Sequence, residues 1–186
     1  MKDFIAKIIS RPLTIALILL AVLSVLIEAQ IGLKYEALLA IFTFVVPIST
    51  IVLFKVFKIT SDFNVTQRSE RPKLFIIMGM AFLYSLHIAY LSQDAVLIAI
   101  YQVLNLTFFT GFLITLFWKI SYHMIWSCIA IFTIIYLWQI PYFYLLLVLL
   151  PLIAWSRLEL KRHNIMQVLA GTGLTGICIY IVLTYF

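Results

Sequence analysis

The sequence predicts an all-α integral membrane protein, a helical bundle of about six to seven transmembrane helices. Three observations carry that prediction. Hydrophobic residues make up 65% of the 186 positions and charged residues 11%, whereas a soluble domain is typically about half apolar and a quarter charged. The apolar residues gather in runs near the ~20 residues that a helix needs to cross a bilayer. The runs have few breakers and no strict alternation of period two. Because every backbone amide in lipid must be satisfied internally, helices are favoured over the strands of a barrel.

Taken in order, residues 1–11 carry Lys2, Lys7 and Arg11, and an apolar run then extends to about residue 29. No small-residue cleavage site precedes Glu28 and Gln30, so this run reads as a retained first helix and not as a leader. A second span covers residues 35–57, with Pro47 expected to kink it. Residues 58–72 form the longest polar stretch, with Lys58, Asp62, Asn64, Arg68, Glu70, Arg71 and Pro72. A third span follows over 73–91. Ser92-Gln93-Asp94 turns the chain into a fourth, which ends near Trp118. Residues 119–123 break the apolarity. Two shorter spans, 124–138 and 141–155, are joined at Gln139-Ile140-Pro141, and residues 156–164 separate them from a final helix running to Phe186. This layout divides the chain into an added N-terminal helix pair, 1–57, and a core, 58–186.

With seven crossings, the N-terminus and the polar segments 58–72, 119–123 and 156–163 share one face. Almost every Lys and Arg lies there, Lys34 being the exception. The positive-inside rule makes that face, and with it the N-terminus, cytoplasmic in a cell (plasma or inner) membrane. Setting aside the cations that could serve a ligand leaves Lys2, Lys7, Arg11, Lys55 and Lys58, which still favour the same orientation. Trp118, Trp126, Trp138, Tyr142 and Trp155 fall near helix ends, as an interfacial aromatic belt requires.

Several functions are excluded. Cys128 and Cys178 lie inside apolar runs and read as packing residues, and no metal-ligand spacing is present. The net charge is +6, but no basic tract is long enough to track a nucleic acid. Gly171-Thr172-Gly173-Leu174-Thr175-Gly176 matches the dinucleotide fingerprint only formally, because no strand precedes it. Its spacing, Gly171/Thr175 and Thr172/Gly176, suits close helix packing. His87 and Asn105, both within spans, are expected to bond neighbouring helices as neutral groups. Asp62 and Glu70 are expected to pair with nearby arginines.

Three short polar segments remain: Arg68…Arg71-Pro72, Ser121-Tyr122-His123 and Ser156-Arg157…His163. On one membrane face, such a set suits a phosphate carried by a lipid. Arginine's planar fork matches phosphate oxygens, and two histidines can supply a nucleophile and a proton donor near neutral pH. The order Arg-Pro, Ser-x-His, Ser-Arg-x5-His resembles the type 2 phosphatidic acid phosphatase superfamily, which includes the vanadium haloperoxidases, over about residues 58–180. Gln167-Val168-Leu169-Ala170-Gly171 is similar to the start of that family's last helix.

The resemblance implies a metal-independent, cofactor-free lipid phosphatase acting on phosphatidate, phosphatidylglycerophosphate or a polyprenyl diphosphate. It implies that His163 is the nucleophile, that His123 is the general acid, and that Arg71, Arg157 and Ser121 bind phosphate oxygens. Three positions depart from the family pattern. Asn64 stands where the family has lysine, with Arg68 or Lys58 available to supply the charge. Tyr122 stands where it usually has glycine. Gln167 stands where it usually has the aspartate that orients the nucleophilic imidazole; glutamine can accept the same bond without the charge. These departures feed an alternative, a catalytically degenerate member that binds or transports anionic lipid.

Overall fold

The computed structural model describes residues 2–28, 31–63, 65 and 67–185; Asn64, one of the three departures, lies outside them. The described chain is helical, with no strand among the described residues. In order come α1 (Lys2–Ile8), α2 (Thr14–Glu28), α3 (Leu33–Ala40), α4 (Val46–Val56), α5 (Arg71–Ser92), α6 (Ala95–Phe117), α7 (Tyr122–Trp138), α8 (Leu149–Glu159) and α9 (Ile165–Tyr185). Five continuous helical stretches among the described residues are long and apolar enough to cross a membrane: Leu33–Val56, Arg68–Ser92, Ala95–Phe117, Pro141–Glu159 and Ile165–Tyr185. Thr14–Glu28 and Tyr122–Trp138 are apolar but shorter. Large apolar side chains stay exposed along most of these helices, among them Leu23, Met80, Leu113, Leu145 and Ile177. Helices apolar on every side suit a lipid solvent.

Two prolines shape the helices in the same way. A proline within a helix lacks the amide of the i→i−4 bond and crowds the carbonyl of residue i−4. Pro12 lies inside a π-helical turn, Ile9–Leu13, that joins α1 to α2. Pro47 follows a second π turn, Ile41–Val45, that joins α3 to α4. The wider turns accommodate the missing bonds while the chain stays helical. Each turn also places a hydroxyl against another helix: Ser10 against Arg157, and Thr43 against Tyr101 at 3.2 Å.

The helices form two contact-dense units, Met1–Glu28 with Ile120–Phe186, and Ala29–Lys119. This division runs along different lines from a boundary at residue 57, because α1 and α2 belong with α7, α8 and α9. The core of that unit is Leu17, Ala21, Met124, Ala130, Ile131, Ile134, Ile153 and Val168. Along α9, Val168, Gly171, Thr175, Cys178 and Val182 are buried, a 3-4-3-4 spacing that keeps one stripe inward. Gly171 is the close contact: a Cβ there would stand 2.8 Å from the backbone oxygen of Ser121. Gly171/Thr175 thus form the packing face expected of them. Thr172/Gly176 divide: the Thr172 side chain bonds Cys128 on α7, whereas a Cβ on Gly176 would meet nothing within 4 Å.

In the unit Ala29–Lys119, α5 and α6 pair through an aromatic cluster, with Phe82 and Phe108 edge-to-face at 4.8 Å. Asn105 donates to the Phe82 carbonyl at 3.0 Å, the interhelical bond expected of it. His87 differs from expectation. Its ring is exposed beside Tyr84, with centroids 6.2 Å apart, instead of bonding a neighbouring helix. Between α5 and α6, Gln93 takes a left-handed turn and Asp94 caps α6 by accepting from Leu97 N–H at 3.0 Å.

Candidate functional site

Arg157 and His163 are brought together by the end of α8. The Lys161 amide donates to the Leu158 carbonyl at 2.9 Å and the Arg162 amide to the Arg157 carbonyl at 3.1 Å. With Lys161 at φ 51°, this is a Schellman ending with lysine in the left-handed position usually held by glycine. The reversal carries His163 back over the helix end, where its amide lies 3.4 Å from the Arg157 carbonyl. Both side chains are buried, Arg157 at 4% exposure and His163 at 9%. The Arg157 guanidinium donates through Nη1 to Ser10 Oγ, and the Ser156 hydroxyl is turned back to the Ile153 carbonyl at 2.7 Å.

The next turn orients the His163 ring. Asn164 Oδ1 accepts from the Gln167 amide at 2.9 Å, and Gln167 Oε1 accepts from the Asn164 amide at 3.3 Å. This reciprocal pair is a capping box that starts α9. The same Oε1 lies 3.1 Å from His163 Nδ1. A backbone N–H can only donate, so the Asn164 amide settles which end of the Gln167 side chain is oxygen. That oxygen accepts, so Nδ1 carries a proton, and in the neutral ring the lone pair resides on Nε2.

Gln167 also anchors the second motif, since its carbonyl accepts from the Ser121 amide at 3.2 Å. Ser121 is the N-cap of α7, yet its side chain makes no capping bond. Its Oγ is fully buried and has no hydrogen-bond partner among the described residues. An unsatisfied buried hydroxyl costs about 1–3 kcal/mol. His123 occupies the first turn of α7 and is half-buried. Ser121, His123, Arg157, His163 and Gln167 therefore all lie in the unit built from residues 1–28 and 120–186, and Gln167 contacts both the Ser121 and the His163 motifs.

Arg71 and Arg68 belong to the unit Ala29–Lys119. Arg71 opens α5 and is buried, its Nε donating to the Val65 carbonyl at 3.0 Å. Val65 adopts φ 45°, a strained value for a β-branched residue. Arg68 is exposed in a short 3-10 turn, Arg68–Glu70. Glu70 does not pair with an arginine as expected. Its two carboxylate oxygens accept from the Ser61 amide, each at 3.0 Å. That closes the loop before α5.

Two contributors were missed from sequence. Asn164 had a readable signal, since Asn-x-x-Gln ahead of an apolar run is a capping pattern. Ser10 had none, because its role depends on a π turn and on a partner 147 residues away. Among the described residues, no group of three or more His, Cys, Asp or Glu side chains could hold a metal ion. No protein-family model, curated protein or solved structure matches the chain.

Proposed function

We propose that the protein is a membrane-embedded, metal-independent phosphatase that hydrolyses an amphiphilic phosphate ester or diphosphate through a phosphohistidine. The hydrogen bond between His163 and Gln167 carries this reading. It directs the proton to Nδ1 and the lone pair to Nε2, the arrangement a nucleophilic imidazole requires. Nε2 would attack phosphorus while the leaving oxygen departs in line and takes a proton from His123. Water would then attack the phosphohistidine, with the deprotonated His123 as base, releasing phosphate and restoring both rings.

Arg157 and the Ser121 hydroxyl would hold phosphate oxygens as charge builds in the transition state. The order of the motifs, which resembles the type 2 phosphatidic acid phosphatases, supports the same reading. Arg71 and Arg68 enter it through that motif order alone.

Phosphatidate, phosphatidylglycerophosphate and polyprenyl diphosphates fit a charged head group with a tail in lipid. The reading includes about six to seven crossings, the length of each set by bilayer thickness. The N-terminus would be cytoplasmic in the plasma or inner membrane, which the lysines of the N-terminal segment support.

The test is phosphate release by the detergent-purified protein, with a chelator present, from each of the three substrates. Release is expected, and His163→Ala should abolish it with the helical content unchanged. Undiminished release by His163→Ala would sink the mechanism. No release from any substrate by folded protein would favour the lipid-binding alternative.

A further inference from the structure

Gln167 meets His163 with its side chain, and its backbone is tied at both ends. Its amide donates to Asn164 Oδ1 at 2.9 Å, and its carbonyl accepts from the Ser121 amide at 3.2 Å. Only the side chain is left to turn. Its Oε1 lies 3.1 Å from His163 Nδ1 and accepts from the Asn164 amide at 3.3 Å. Asn164 is exposed and touches the His163 ring only through Gln167. We infer that Asn164 is a positioning residue for His163: it keeps the oxygen of the Gln167 amide, and not its nitrogen, against the ring. The inference rests on the phosphatase reading of this site and goes beyond it by naming what selects the reactive form of the nucleophile.

The two ends of an amide are alike in size and opposite in effect on a neutral imidazole. Oxygen beside Nδ1 requires an N–H there and leaves the lone pair on Nε2. Nitrogen beside Nδ1 requires the lone pair there and moves the proton to Nε2, which then cannot attack phosphorus. A carboxylate at position 167 would need no such control, because both of its oxygens accept; glutamine does need it. The Asn164 amide supplies it. If the Gln167 side chain turned over, its NH2 would face that N–H, donor against donor. This bond is the longer of the reciprocal pair, 3.3 Å against 2.9 Å. Its geometry therefore depends on the shorter one, in which the Asn164 side chain draws residues 164 and 167 together.

The measurement is nitrogen NMR of the histidine rings in the purified full-length protein, in detergent micelles at alkaline pH and without substrate. Wild type, Asn164→Ala and Asn164→Ser are compared. The chain has three histidines, and the signals of His163 are those missing from His163→Ala. The wild type should show a proton on Nδ1 and a bare Nε2. Asn164→Ala should show a mixture of the two tautomers, with kcat for phosphate release about tenfold lower, the upper worth of one neutral hydrogen bond. Asn164→Ser keeps an oxygen that accepts from the Gln167 amide and should restore both readouts. Helical content is checked in every variant.

If Asn164→Ala keeps the wild-type ring signals while melting at a lower temperature, Asn164 only caps α9 and the inference is overturned. A wild type with its proton on Nε2, or a mixture that Asn164→Ser does not correct, overturns it as well. The ring signals need no turnover, so the two readings fail separately. Phosphate release lost in His163→Ala, with a tautomer indifferent to Asn164, leaves the phosphatase reading standing alone. A tautomer that follows Asn164 in a protein that releases no phosphate supports the positioning role and removes the phosphatase reading.

Discussion

The amide oxygen of Gln167 lies 3.1 Å from His163 Nδ1 and 3.3 Å from the Asn164 amide. One oxygen therefore starts helix α9 and sets the tautomer of the histidine that precedes it. A carboxylate at this position would also stabilise an imidazolium, whereas an amide can only orient the ring. Removing the oxygen should cost both functions at once. Gln167→Leu should lower kcat roughly a hundredfold, at the low end of what a positioned acid–base group contributes. It should also lower stability by about 1 kcal/mol through the lost cap. Gln167→Glu keeps the box and adds charge, and should retain or raise kcat. Phosphate-release kinetics and thermal unfolding in micelles check both. A Glu variant as slow as the Leu variant would show that oxygen placement is not the reason for Gln167.

The stripe along α9 allows a sharp comparison among glycines. A Cβ at 171 would press to 2.8 Å of the Ser121 backbone oxygen and 3.2 Å of the Met124 Cβ. Backbone cannot swing aside as a flexible side chain can. Gly171→Ala should therefore destabilise by about 1–3 kcal/mol, the usual cost of overpacking. The shift also moves Ser121, so activity should fall with stability. Gly173→Ala and Gly176→Ala would meet nothing within 4 Å. They should match or exceed the wild type by up to about 1 kcal/mol through helix propensity. Thermal unfolding of the three variants in one detergent decides this, and equal behaviour would refute the close contact.

How much of this was legible in the sequence depends on the range of the contact. The helical runs, the interhelical role of Asn105 and the Gly171/Thr175 face follow from periodicity and hydropathy, which are local. The meeting of Arg157 with His163 was legible only as a spacing, because what joins them is a Schellman turn built on lysine where glycine would have been the signal. His87 was misread because an intramembrane histidine is expected to bond a neighbouring helix, whereas its ring lies exposed beside Tyr84. Ser10 was invisible because a π turn has no hydropathy signature.

That lysine carries a prediction of its own. Lys161 sits at φ 51°, where a Cβ crowds the backbone and glycine does not. Lys161→Gly should raise stability by about 1 kcal/mol. Lys161→Ala keeps the Cβ and should give no such gain, which separates the backbone effect from the loss of charge. Thermal midpoints of the two variants read the difference. A gain in Lys161→Ala as large as that in Lys161→Gly would assign the effect to charge.

Arg157 tests whether the site needs a fork or only a charge. Its guanidinium donates to Ser10 through one nitrogen, and a planar fork can present further N–H groups to a phosphate at the same time. Lysine keeps the positive charge but concentrates it on one strongly hydrated nitrogen, which cannot hold the hydroxyl and two phosphate oxygens in fixed directions. Arg157→Lys should therefore lower kcat/KM by about a hundredfold, the worth of roughly two hydrogen bonds to a charged group. If the arginine grips the phosphate equally in the ground and transition states, the loss appears as a higher KM. If the grip tightens as charge builds on the phosphoryl oxygens, it appears in kcat. Steady-state kinetics across a range of substrate concentrations separates the two. Near-wild-type kcat/KM in Arg157→Lys would mean that Arg157 contributes its charge alone, and that the fork has no part in binding.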